Sequence, residues 1–212
     1  NNKLVNADYA TFKDRDNRKG GSIISAQKVG PSVAADLTRG AIISVVLSLI
    51  AIFVYILFRF RSVAFSVGAI VALAVDTFII IGIYSVCWGF LPFSLEVDQT
   101  FIGAILTVIG YSINDKVVVF DRIRENISLF PTREPEKLFN DSINHTLTRT
   151  IMTSFTTLLV LLCIFFLGGD AIRSFSFAMI LGVVVGTLSS IFMAAPIAYK
   201  IYGRRQAKKA HA

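Results

Sequence analysis

Residues 110–126 read Gly110-Tyr-Ser-Ile-Asn-Asp-Lys-Val-Val-Val-Phe-Asp-Arg-Ile-Arg-Glu-Asn126. They continue the apolar run that begins at Phe101, and they bring Asn114, Asp115 and Lys116 into a segment otherwise apolar enough to cross a membrane. Ionisable side chains are expensive in hydrocarbon, and inside a span they mark an ion or substrate pathway by default. This stretch therefore predicts a membrane-spanning helix and a candidate functional site within it.

The composition places the whole chain in a membrane. Of its 212 residues 54% are hydrophobic and 17% are charged, whereas a soluble domain has about 25% charged residues. The net charge of +7 does not indicate a nucleic-acid partner, because the basic residues stand in short blocks between apolar runs and so resemble topology determinants. The two cysteines, Cys87 and Cys163, provide no disulfide framework and no metal-binding spacing, so no cofactor is predicted.

Five apolar segments are long enough to span a bilayer, and each must be helical because backbone polar groups in lipid have to bond internally. They cover residues 40–58, 63–86, 97–120, 151–169 and 175–202 of a predicted all-α transmembrane bundle, 40–203. Residues 1–39 are polar and are predicted to be the C-terminal remnant of an exported domain. Apolar side chains at helical spacing predict an amphipathic helix on the cytosolic face over 133–148. Residues 204–212 form a basic tail.

The orientation follows from the basic residues of the short loops. Nearly all of these residues lie between the first and second spans, between the third and fourth, and after the fifth, whereas the opposite side has Arg173 only. The positive-inside rule therefore predicts a cytosolic C-terminus and places residues 1–39 outside.

Asp115 is the first candidate for chemistry. It lies seven residues before Arg122, about 10 Å along a helix from the predicted cytosolic boundary. Burial favours the neutral carboxyl and a nearby cation favours the charged one, so an acid between these influences can bind and release a proton. The alternative role is a hydrogen bond between helices. Asn114 either holds the neutral acid or makes such a bond, and Lys116 is predicted to snorkel to the cytosolic interface.

Asp76 and Arg149 are further candidates. Asp76 lies in the second span, about 20 Å from its cytosolic end and about 10 Å farther out than Asp115, which suits either a series of protonatable stations or a structural role. Arg149 directly precedes the fourth span. From the residues alone we interpret it as a positive-inside anchor, although its side chain has the reach to pair with Asp115.

Two spans repeat small residues at four-residue spacing, which predicts close approach of another helix. The fifth span has Ala178, Gly182, Gly186, Ser190 and Ala194, and the third has Gly103, Thr107, Gly110 and Asn114.

Several of these stretches resemble the SecF family of the bacterial protein-export machinery. Residues 110–126 match the family signature, and other matching segments are Val29-Gly-Pro-Ser-Val33, Ala72-Leu-Ala-Val-Asp76, Thr146-Leu-Thr-Arg-Thr150 and Phe166-Leu-Gly-Gly169. The chain departs from the family pattern at Val75, where His is frequent, and at Lys116 and Phe120, where small hydroxyl residues are common.

The resemblance implies a six-helix bundle of the RND superfamily, with the first helix missing here. It implies an accessory subunit, linked to the proton motive force, that assists export of preproteins across the bacterial inner membrane. The implied partners are SecD (or the SecD half of the same chain), SecYEG, SecA, YajC and membrane lipids.

The resemblance further implies that Asn114-Asp115 contains the membrane proton site, that Arg149 is its partner and that Asp76 contributes to proton transport. Two other functions stay open: half of an RND-type exporter, and a translocon scaffold without proton conduction. No enzymatic activity is predicted.

Overall fold

The computed structural model describes residues 31–87, 90, 95 and 98–210. The helices are α1 (Pro31–Phe60), α2 (Val63–Cys87), α3 (Gln99–Leu129), α4 (Pro135–Leu167), α5 (Asp170–Ser189) and α6 (Ala195–Ala210), with a π-helical turn at Ser190–Ala194. Five stretches of these helices are long and apolar enough to cross a membrane, which confirms the predicted all-α, five-span architecture. Residues 1–30 of the predicted remnant and 211–212 of the predicted tail lie outside the described residues.

Several helices extend beyond the predicted spans. Residues 31–39 belong to α1, and α3 continues to Leu129. α4 runs from Pro135 to Leu167 without a break, so the predicted amphipathic helix and the predicted fourth span are one helix. The extension is stabilised by packing, because Ile123 and Leu138 are buried in the same apolar cluster.

Small residues allow α3 and α5 to approach closely. A Cβ atom added at Gly182 would overlap the side chain of Val108, and one added at Gly186 would lie 2.6 Å from Oγ of Ser112. The predicted close-packing role of the stripe on the fifth span is thus confirmed. The stripe on the third span is exposed: a Cβ at Gly103 or Gly110 would meet nothing within 4 Å in the part of the chain that the structure describes.

We expect Gly182→Ala to lower the free energy of unfolding by about 1–3 kcal/mol, because the added methyl group forces Val108 and the two helices apart. The matched control is Gly82→Ala, where none of the described residues lies within 4 Å of the added atom and the alanine gains helix propensity. Thermal unfolding of both variants in detergent checks this. Equal Tm values would contradict the tight packing.

A proline explains the π-helical turn between α5 and α6. Pro196 has no backbone N–H, and its ring collides with the carbonyl four residues earlier, that of Phe192. Widening the preceding turn over Ser190–Ala194 relieves this collision. The turn contacts α2, since a Cβ added at Gly68 would lie 2.9 Å from the carbonyl oxygen of Ala194.

Two apolar clusters fill the bundle, one at the end where α3 connects to α4 and one toward the opposite end. The aromatic members include Phe60, Phe65 and Phe120 in the first cluster and Tyr84 and Phe101 in the second. On α3 the two clusters are separated by the buried polar side chains of Ser112, Asp115 and Lys116. This polar layer contains the candidate site.

Candidate functional site

Lys116 and Asp76 form an ion pair inside the bundle. Nζ of Lys116 lies 2.9 Å from Oδ2 of Asp76, and the two side chains are 0% and 2% exposed. Nζ also donates to Oγ of Ser112 at 2.6 Å, and that hydroxyl donates to Oδ2 of Asp76 at 2.8 Å. These three groups join α2 to α3 in a closed triangle of hydrogen bonds, which is what a buried ion pair needs to offset its desolvation. Within the described part of the chain, Oδ1 of Asp76 has no hydrogen-bond partner.

This ion pair shows that two predictions were wrong. Lys116 does not snorkel to the interface, because Asp76 binds its ammonium group inside the bundle. Asp76 does not lie about 10 Å farther out than Asp115, since it contacts the residues of α3 that flank Asp115. The depth of Asp115 was underestimated because α3 continues past its predicted end to Leu129. Asp115 lies about 20 Å from that end of α3, and Asp76 lies about the same distance from the start of α2 at Val63.

Asp115 lies on another face of α3, toward α4 and α5. Its side chain is buried, and Oδ2 accepts from Oγ1 of Thr187 at 3.4 Å and from Oγ of Ser154 at 3.5 Å. The two hydroxyl oxygens are 2.6 Å apart. No cation forms an ion pair with Asp115 among the described residues. Hydroxyl groups both donate and accept, so these partners suit the carboxyl group in either protonation state.

Neither Arg149 nor Asn114 belongs to the Lys116–Asp76–Ser112 triangle or to the hydrogen-bonded group around Asp115. Arg149 is exposed and lines a cavity of about 330 Å³, the α3–α4 cavity, whose polar lining residues are Asp121, Arg122, Glu125, His145, Thr146 and Arg149. Along α4 it lies about 7.5 Å from Ser154, which contacts Asp115. Arg149 is therefore on the side of Asp115 that faces this cavity. Asn114 is exposed, and its side-chain amide has no hydrogen-bond partner in the described part of the chain.

Sequence reasoning missed three hydroxyl residues of the site, Ser112, Ser154 and Thr187, and it assigned Lys116 the wrong role, although some signals were available. Ser112 and Lys116 are four residues apart, so they share one face of α3. Thr187 follows Gly186 in the close-packing stripe of α5, which places it near the polar part of α3. Ser154 follows Thr146 and Thr150 at four-residue intervals, so the three hydroxyl residues share one face of α4. Within the described ranges no three His, Cys, Asp or Glu side chains are grouped closely enough to hold a metal ion.

The comparisons with known proteins point to one family. The family described as protein export membrane protein SecD/SecF, C-terminal, matches residues 11–204. SecF of Rhodothermus marinus is 53% identical over 187 residues, which cover 88% of this chain and 60% of that protein. SecDF of Thermus thermophilus is 42% identical over 189 residues, or 89% of this chain and 25% of that protein.

The solved structures agree with this assignment. The crystal structure of SecDF in its super-membrane-facing form matches with a TM-score of 0.78 and 35% identity, and the match covers 100% of this chain and 27% of that one. The chain thus spans 60% of the length of the SecF relative and 25% of the length of the SecDF relative. The family match includes the signature at 110–126 and every side chain of the polar layer. The chain therefore belongs to the family of SecD/SecF protein-export membrane proteins, of which it contains the C-terminal, membrane-spanning part.

Proposed function

We propose that this chain is the membrane part of a SecF-type subunit that assists the Sec translocase in exporting preproteins and draws on the proton motive force. The observation that carries the proposal is Asp115, a buried carboxyl group in the middle of a membrane-spanning helix, which is bonded to two hydroxyl groups and, among the described residues, to no cation. An unpaired carboxyl group persists in a membrane when function requires it. The relatives named SecF and SecDF support the role in export.

In this proposal Asp115 takes up a proton from the outer side and releases it to the cytosol. The positive-inside rule places the C-terminus and the α3–α4 end in the cytosol, with residues 1–39 outside. Thr187 and Ser154 donate to the ionised carboxylate and accept from the neutral acid, so both states are accommodated. Arg149, from its position beside the α3–α4 cavity, turns toward Asp115 when the carboxylate is charged and favours proton release.

Asp76 contributes through Lys116 in this scheme. Together the two side chains have no net charge, and they hold α2 against α3 at the residue next to Asp115. A buried ion pair with hydrogen-bonded partners fixes register between elements. The alternative, that Asp76 itself exchanges protons, stays a prediction.

The exposed stripe on α3 (Gly103, Thr107, Gly110 and Asn114) is the surface that we assign to SecD. Small residues that face away from the rest of the bundle allow another transmembrane helix to approach, and the Asn114 amide supplies an interhelical hydrogen bond. The relative named SecDF supports SecD as the source of that helix. The remaining partners (SecYEG, SecA and YajC) follow from the family alone.

The full-length subunit, reconstituted with SecD in lipid vesicles, should conduct protons when a pH gradient and a membrane potential are imposed. A pH-sensitive dye inside the vesicles measures the flux, and empty vesicles provide the background. A flux equal to that background would favour the scaffold function instead.

A further inference from the structure

We propose that a row of hydroxyl groups on α4, Thr146, Thr150 and Ser154, is the relay through which Asp115 exchanges its proton with the α3–α4 cavity. The inference rests on the proposed proton-carrying role of Asp115 and adds the route and the residues that form it.

The relay is continuous in position. Its three members are four residues apart, so they lie on one face of α4 at intervals of about 6 Å. All three side chains are buried, with 8%, 2% and 5% exposed. At one end Ser154 donates to Asp115, and at the other Thr146 lines the α3–α4 cavity. The row therefore connects the buried carboxyl group to the surface.

Thr150, the middle member, is unusual among the hydroxyl residues of α4. Its Oγ1 atom is buried and has no hydrogen-bond partner among the residues that the structure describes. Thr146, Thr153 and Thr157 instead donate to the carbonyl oxygen one turn earlier, at 3.2, 3.0 and 2.9 Å, which is the usual arrangement in a helix. A buried hydroxyl without a partner calls for an explanation, and a group that must accept one proton while donating another provides it.

The spacing suits proton transfer through single waters. A gap of about 6 Å is closed by one water that makes two hydrogen bonds of about 2.8 Å each. The proton of Asp115 passes to the Ser154 hydroxyl as that hydroxyl releases its own, and the exchange is repeated at Thr150 and Thr146. Each hydroxyl ends with the proton count it began with, Asp115 ends ionised, and one proton enters cavity water beside Asp121, Glu125, His145 and the cations Arg122 and Arg149.

The test is Thr150→Val in the full-length subunit reconstituted with SecD. Valine keeps the shape of the side chain but has no hydroxyl. The longest distance between successive hydroxyl groups of the relay therefore grows from about 6 Å to about 12 Å, the distance from Ser154 to Thr146. We expect proton flux to fall at least tenfold with an unchanged Tm, and Thr150→Ser to retain wild-type flux. The matched control is Thr156→Val, which removes an exposed hydroxyl of the same helix and should leave flux unchanged.

The outcomes separate the relay from the function on which it depends. Wild-type flux in Thr150→Val, together with loss of flux in Asp115→Asn, would overturn the relay and leave Asp115 as the proton site. No flux in the wild type would overturn both. If Thr150→Val fails to fold, Thr150→Ala removes the hydroxyl without adding bulk and is measured in its place.

Discussion

Asp115→Asn will reduce proton flux by about two orders of magnitude or more, which is the scale of losing a positioned acid–base group. Asparagine has nearly the shape of aspartate and its amide oxygen still accepts from Thr187 and Ser154, so packing is retained while titration is lost. Flux into vesicles measures the effect, and the rate of preprotein export in cells should fall with it.

The matched control is Asp141→Asn. Asp141 lies on α4, does not line the α3–α4 cavity and forms a solvent-accessible ion pair with Arg133, so its loss should change flux less than twofold, because an exposed ion pair contributes little. Asp115→Glu, which titrates but is longer, should retain part of the flux. Wild-type export and flux in Asp115→Asn would rule out Asp115 as the proton site and leave the scaffold function.

Lys116→Met will destabilise the bundle by about 3–5 kcal/mol, because it leaves the Asp76 carboxylate buried without a counter-charge. Asp76→Asn will have a comparable effect by leaving the ammonium group unpaired. The double variant Lys116→Met/Asp76→Asn removes both charges, and we expect it to recover most of the lost stability. Thermal unfolding in detergent of the four proteins completes the double-mutant cycle.

The double variant also decides the role of Asp76. If Asp76 acts through its ion pair, the stable double variant should conduct protons at a rate close to that of the wild type. A folded double variant without flux would show instead that Asp76 exchanges protons itself. Additive losses of stability in the cycle would contradict the ion pair.

The helical architecture was predictable because a membrane allows few backbone structures. Backbone groups in lipid must bond within a helix, so five long apolar segments mean five helices. The helix ends were not predictable from hydropathy. α3 and α4 continue beyond their apolar segments because residues outside those segments, such as Ile123 and Phe139, are buried in one apolar cluster.

The candidate site was predictable in part. Asp115 could be identified because an ionisable residue in a span is rare whatever surrounds it. The partner of Lys116 could not be identified, since both snorkelling and pairing suit a lysine near the predicted end of its span. Whether Lys116 snorkels or pairs depends on the register of α2 against α3, which brings Asp76 level with Lys116. No local sequence pattern encodes this register.

Mutual neutralisation of Lys116 and Asp76 has an electrical consequence. Voltage across the bilayer exerts no net force on a pair of opposite charges, but it acts on a single carboxylate by about 2.3 kcal/mol per elementary charge for each 100 mV traversed. If Asp115 exchanges protons as proposed, its charge is the one in the described polar layer on which the field acts. The fraction of the membrane voltage that acts on Asp115 depends on the depth of Asp115 in the bilayer, which is fixed by its position along α3.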